Sequence, residues 1–139
     1  MTPKQAMERV TSQYRISPYE INNGCCNEWA QEVLDLLAKA PVLVEMWEKP
    51  FGFADTTHCF LRINGKFYDA EDLEGTDDHM GLPIFAKLFK ETKTRQPVWL
   101  IDHNGFADPK QNVRDVSLEL WKEIRKDNGT EDDPCPYLP

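Results

Sequence analysis

Three side-chain types that together carry out acyl transfer through a thiol stand in this chain where one small fold can gather them. Cys26 opens a helical pattern in Asn23-Gly24-Cys25-Cys26-Asn27-Glu28-Trp29-Ala30, and His58 and Asp69 share one short hairpin. A thiolate attacks a carbonyl, an imidazole moves the proton, and a carboxylate holds the imidazole in the required tautomer. That chemistry needs no cofactor. The cysteine spacing also argues against a metal: structural zinc draws on cysteines typically about two to four residues apart. Neither Cys25-Cys26 nor His58-Cys59 fits that spacing.

The hairpin sets the geometry of the pair. Residues 58–63 and 66–70 read as strands joined by Asn64-Gly65, the strongest short-range signal for a two-residue turn. With those two residues in the turn, Phe60 faces Asp69 and His58 faces Glu71. His58, Phe60, Phe67, Asp69 and Glu71 then share one face of the sheet. His58 and Asp69 become diagonal neighbours with Cβ atoms about 7–8 Å apart or somewhat less, a gap imidazole and carboxylate can bridge. Glu71, directly opposite His58, is a rival orienting carboxylate, and the pattern leaves both open.

The thiol needs a helix. Residues 25–38 carry apolar side chains at helical spacing, Cys26, Ala30, Val33 and Leu37, flanked by Trp29, Leu34 and Leu36. A cysteine in the first turn feels the positive end of the helix dipole and unpaired backbone N–H groups, both of which favour thiolate. Its own N–H can donate to an oxyanion. Cys26 lies on the apolar face that packs on a sheet, whereas Cys25 points about 100° away, so Cys26 is the expected nucleophile.

Around these elements the pattern predicts a first helix over residues 3–14, with Thr2 as N-cap and Pro3 at its first position. Ser17-Pro18 and Asn22-Asn23-Gly24 read as loop breakers. A strand is expected over 41–47 and a loop over 49–56; Phe51 and Phe53, with Trp47, suit either the wall of a cleft or the core. A polar loop over 71–81, a helix over 82–91, a strand over 98–101 and a helix over 117–126 follow. His79 and His103 fall in polar loops and read as surface residues. Residues 128–139 are acidic and Pro-rich and read as a mobile tail behind a single domain spanning 1–127.

Composition excludes some functions. A 139-residue chain with 40% hydrophobic residues can build one core. Its formal charge of −8, with no basic cluster to offset it, repels phosphate backbones, so nucleic acid is not an expected partner. The N-terminal residues show no apolar leader, and no stretch reaches the roughly 20 apolar residues of a membrane span. The expected setting is a reducing cytoplasm in which the four cysteines remain free.

The segment Gly24-Cys25-Cys26-Asn27-Glu28-Trp29-Ala30 resembles the Gly-x-Cys-x-x-aromatic-Ala helix start of papain-like and transglutaminase-like cysteine proteins. Residues 58–71 resemble the His-strand, Gly, aromatic-Tyr-Asp-Ala-Glu hairpin of small bacterial and phage members of that group, and 77–85 the segment that follows it. The resemblance spans roughly residues 20–86. It implies an α+β fold in which a central helix carrying the nucleophile packs on a small antiparallel sheet. By the same resemblance Cys26 is nucleophile, His58 base and Asp69 orienter, acting on an amide, isopeptide or glutamine side chain of a protein, peptide or small amide. One position departs from the pattern. Where papain-like enzymes place a Gln six residues before the nucleophile, this chain has Glu20, whose carboxylate repels an oxyanion; Asn22 and Asn23 are the substitute donors. That departure and the short chain keep a second expectation in view: a catalytically weak member of the fold that binds a protein, such as a phage protein inhibiting a host factor.

Overall fold

The computed structural model describes residues 1–50, 57–91, 113–127, 129 and 137. Helix α1 (Pro3–Gln13) begins at a capping box: the Thr2 hydroxyl accepts from the Gln5 N–H and the Gln5 side chain accepts from the Thr2 N–H. The same device starts α2 (Pro18–Asn22), where Ser17 and Glu20 exchange bonds in the same way. The sequence pattern reads this stretch as a loop because Pro18 looks like a breaker. At the first position of a helix, however, proline loses no needed hydrogen bond and its φ is already helical. Glu20 is thereby engaged in a cap.

Helix α3 (Cys26–Leu36) follows after one turn, with Cys25 as its N-cap residue. Four antiparallel strands come next: β1 (Val44–Pro50), β2 (Thr57–Ile63), β3 (Lys66–Asp69) and β4 (Asp72–Thr76). A 3₁₀ turn (His79–Gly81) leads into α4 (Pro83–Glu91), and β5 (Arg114–Asp115) precedes α5 (Leu118–Asp127). The sheet runs β4-β3-β2-β1-β5, each neighbour antiparallel. The protein is therefore α+β with a small antiparallel sheet. No helix among the described residues is long and apolar enough to cross a membrane.

Strand alternation splits the core into two clusters. Leu61 and Ile63 of β2 join Met46 in the larger cluster, with Met7 and Val10 of α1 and Trp29, Ala30 and Val33 of α3. Phe60 belongs to a smaller cluster with Leu82 and Phe85, against which Trp47 and Phe67 pack. The buried indole of Trp29 donates to Thr11 Oγ1 at 2.9 Å and ties α3 to α1. Trp47 stands edge-on to Phe67 in the smaller cluster, while Phe51 and Phe53 lie outside the described residues.

At its closed end the β2–β3 hairpin has the expected register: Ile63 pairs with Lys66, Arg62 with Phe67 and Leu61 with Tyr68. Asn64 and Gly65 take φ of 50° and 87°, the left-handed pair that a tight hairpin turn demands. Past Tyr68 the chain departs from a simple hairpin. Instead of running on to bring Glu71 opposite His58, it turns at Ala70 and returns as β4, with Asp69 paired to Asp72 across a register shift. The polar stretch expected as loop over 71–81 therefore contains a strand. Gly75 permits it: its φ is +90°, and a Cβ there would meet the Tyr68 ring at 2.7 Å.

The strand expected near 41–47 starts at Val44 and extends to Pro50. The one expected over 98–101, and His103, lie outside the described residues, as does most of the 128–139 tail. Within that tail the Tyr137 carbonyl accepts the Arg15 N–H at 3.0 Å. His79 is no surface residue. It is 4% exposed and stacks on Phe60 with ring centroids 5.9 Å apart, because the 3₁₀ turn folds it into the smaller cluster.

Candidate functional site

The departure of β3 from β2 creates the site. Counting from the turn, Ile63–Lys66 and Leu61–Tyr68 are the hydrogen-bonded pairs of the ladder. The next such position on β2 is Cys59, whose N–H faces the place Ala70 would fill if the strands continued. The chain has turned away there. The Cys59 N–H donates instead to Cys26 Sγ at 3.5 Å, so the thiol caps the interrupted ladder. From that notch it meets side chains that alternate to opposite faces of β2: the Cys59 thiol and the His58 imidazole.

His58 and Asp69 are both fully buried, and His58 Nε2 lies 3.0 Å from Asp69 Oδ2. The second carboxylate oxygen, Oδ1, accepts the N–H groups of Glu71 at 3.0 Å and Asp72 at 3.1 Å. Asp69 thus performs two tasks, capping the turn into β4 and fixing the imidazole. Of the two carboxylates that the hairpin pattern left open, Asp69 is the one bonded to His58. Glu71 Oε2 accepts from Asn22 Nδ2 at 3.1 Å.

Electrostatics favour a charged pair. Burial alone would lower the His58 pKa, but hydrogen bonds to Asp69 and Cys26 and the negative charge of both raise it from 6.5 to about 9. Cys26 moves the opposite way, well below its ordinary value. The Cys59 thiol donates to it, the His58 side chain and charge add to that, and the Cys59 N–H helps, together outweighing burial. Cys59 pays no part of the charge: donation to Cys26, burial and the nearby negative charge of Cys26, Glu48 and Glu28 keep its proton on. These shifts favour the thiolate at Cys26 and the imidazolium at His58, and they keep the proton on Cys59.

A cleft of about 330 Å³ opens onto Cys26. Asn22, Asn23, Gly24 and Asn27 line it from the α2–α3 side, Thr57 and Cys59 from β2, and Trp121 from α5, together with Cys26. Cys26 is the first residue of α3, so its N–H is one of those with no acceptor inside the helix. Asn22 and Asn23 border the cleft, but each side-chain amide is already engaged: Asn22 Nδ2 with Glu71, and Asn23 Nδ2 with the Tyr19 carbonyl at 2.7 Å. Glu71, an acceptor only when ionised, sets the Asn22 amide with its nitrogen toward the carboxylate. His58 and Asp69 do not line the cleft; they stand behind the sulfur. Cys25, adjacent in sequence, is buried in the larger core cluster.

Cys26, His58 and Asp69 are therefore brought into one connected group. Cys59 and Trp121 were not singled out by type or spacing. For Cys59 a signal existed: continuing the hairpin count puts its N–H at a ladder position. Nothing local marked Trp121, which reaches the cleft from a helix remote in sequence. Among the described residues no three His, Cys, Asp or Glu side chains cluster in a way that would hold a metal ion.

Compared with protein-family models, curated proteins and solved structures, the chain matches none of them.

Proposed function

We propose that this protein is a thiol-dependent acyl-transfer enzyme of papain-like or transglutaminase-like type, hydrolysing or transferring an amide, isopeptide or glutamine side-chain acyl group. The observation that carries the reading is the Asp69–His58–Cys26 group, whose cysteine lies on the wall of a cleft and is pushed toward thiolate by its neighbours. Cys26 Sγ attacks the substrate carbonyl, and the Cys26 N–H, at the positive end of α3, receives the developing oxyanion. His58, already protonated, gives its proton to the leaving amine, and Asp69 holds the ring in place for that transfer. Water or a second amine then takes the acyl group from sulfur. Because His58 stands behind Cys26, the leaving nitrogen must lie close beside Sγ. A small amide, or a side chain inserted end-on, meets that condition better than an extended peptide.

The test pairs reactivity with turnover. Iodoacetamide alkylation of each cysteine, followed by mass spectrometry, is expected to label Cys26 selectively near pH 6 and to lose that selectivity in His58→Ala. Incubation with a p-nitrophenyl ester is expected to release a burst of p-nitrophenol stoichiometric with protein, leaving the acyl group on Cys26. A Cys26 that titrates near 9.0, its ordinary value, ends this reading.

A second reading has its own support. Among the described residues, the imidazole beside the thiol, that of His58, has no cleft surface, and the amide nitrogens of Asn22 and Asn23 are both engaged. A reactive Cys26 that forms no acyl-enzyme would make the chain a binding module on the same scaffold, its acidic surface suited to a protein partner.

A further inference from the structure

Cys59 is the cleft residue that the acyl-transfer reading leaves without a chemical role. It is buried, reduced, and lines the same cleft as Cys26. Its N–H lies 3.5 Å from Cys26 Sγ, and its thiol donates to the same sulfur. A reagent entering the cleft thus meets Cys26 with a second thiol beside it on the cleft wall, whereas His58 is not part of that wall. Cys25 cannot take that place, since it caps α3 and packs with the core of the protein.

We propose that Cys26 and Cys59 form a redox pair in which a hydroperoxide oxidises Cys26 and Cys59 resolves the product as a reversible intramolecular disulfide. In the first step Cys26 Sγ attacks the terminal oxygen of the hydroperoxide. The O–O bond breaks, the sulfur is oxidised to sulfenic acid, and the reduced peroxide leaves as an alcohol, or as water, after taking one proton from solvent. In the second step Cys59 loses its proton and its sulfur attacks Cys26 Sγ. The S–S bond forms, and the hydroxide displaced from sulfur leaves as water with that proton. Overall, two thiols and one hydroperoxide give a disulfide, an alcohol and water.

The first step uses the features that make a thiolate peroxide-sensitive: a lowered proton affinity and access through an open cleft. The second uses the nearness of Cys59, whose backbone N–H reaches Cys26 Sγ at 3.5 Å and which lines the same cleft, so no distant resolving cysteine has to arrive. The disulfide would tie the first residue of α3 to β2, where Cys26 Sγ already accepts from the Cys59 N–H. It would also consume the nucleophile, so oxidation would switch off any acyl transfer and thiol reduction would restore it. The inference rests on the Cys26 thiolate and not on acyl transfer, so the two can fail separately.

The experiment is titration of the fully reduced protein with hydrogen peroxide, read by intact mass and by peptide mapping without reductant. Wild type is expected to lose two hydrogens, to yield one linked peptide joining Cys26 to Cys59, and to return to its starting mass with dithiothreitol. In Cys59→Ser and Cys59→Ala, each checked for native circular dichroism, Cys26 is expected to stall as a sulfenic acid trapped by dimedone, an adduct lost in wild type. Cys25→Ser should behave as wild type. Linkage of Cys26 to Cys25 or Cys135, a disulfide between two molecules, or direct passage of wild type to sulfinic acid would each overturn the proposal. So would an unreactive Cys26. The p-nitrophenyl ester burst, run on the same reduced samples, separates the outcomes: a burst without the disulfide leaves acyl transfer standing alone, and the disulfide without a burst does the reverse.

Discussion

The two ends of the β2–β3 hairpin are held by different physics. At the closed end, Ile63 and Lys66 pair across a tight turn, and the only special demand is left-handed backbone at Asn64 and Gly65. At the open end the ladder is interrupted, and its next donor, the Cys59 N–H, is satisfied by a side chain from another element. A buried carboxylate holds the turn into β4 and a buried imidazole at once. The closed end is local and cheap to specify. The open end needs three segments to arrive together, and it is there that the Cys26 sulfur sits. An interrupted ladder offers an oriented N–H with no strand to receive it, which is a ready position for a sulfur acceptor.

The largest expected effect comes from breaking the open end. Asp69→Ala leaves the His58 charge buried without its carboxylate and deprives two backbone N–H groups of their acceptor. Breaking a buried pair from one side costs about 3–5 kcal/mol, so urea unfolding should show a loss of that size. The Cys26 alkylation profile should also move to higher pH, because His58 then keeps its proton less well. A cost below that of any closed-end change would remove the contrast.

At the closed end, Gly65→Ala is expected to cost about 1–2 kcal/mol, the penalty of a side chain on left-handed backbone. Cys26 reactivity should not change. A shift in that reactivity would mean the two ends are coupled through the strands, and the site would then depend on the turn.

The smallest effect sharpens the comparison through pH. His58, raised from 6.5 to about 9, contributes stability that is complete below 6.5 and is lost as pH rises through 9. Cys26, lowered from 9.0, contributes stability that is complete above 9.0 and is lost as pH falls through its folded value. Between these limits, above the folded Cys26 value, the folded pair carries its one proton on nitrogen and the unfolded pair carries its one proton on sulfur. Proton counts match, so the pair adds no slope there. The difference in unfolding free energy between wild type and a Cys26→Ser, His58→Gln double variant should be flat across pH 6.5–9. A steady slope would mean that only one of the two groups is charged.

Much of the scaffold was legible because its signals are local. Thr2-Pro3, the Asn64-Gly65 turn and the apolar stripe of α3 each act within a few residues, and each element formed near its expected place. The α2 turn was missed although its signal was equally local, since Ser17, Pro18 and Glu20 form a capping box that a breaker reading of proline conceals. The β4 strand and the burial of His79 were not legible. Asp72, Glu74, Thr76 and His79 look like loop residues, and it is the Asp69 bonds and the packing against Phe60 that decide their conformation.

By itself the sequence determined which residue types were available and the local frames that carry them: a cysteine at a helix start, and a histidine and an aspartate on adjacent strands of a tight hairpin. Hydrogen bonds over a few residues and side-chain periodicity suffice for that. Tertiary structure alone decided the rest. It turned the chain at Ala70, so that Asp69 and not Glu71 holds His58, and it set Cys26 into the vacated ladder position beside Cys59. It also brought Trp121 to the cleft and left His58 behind the sulfur. Those outcomes depend on contacts between segments tens of residues apart, where burial and charge act through space and no local pattern records them.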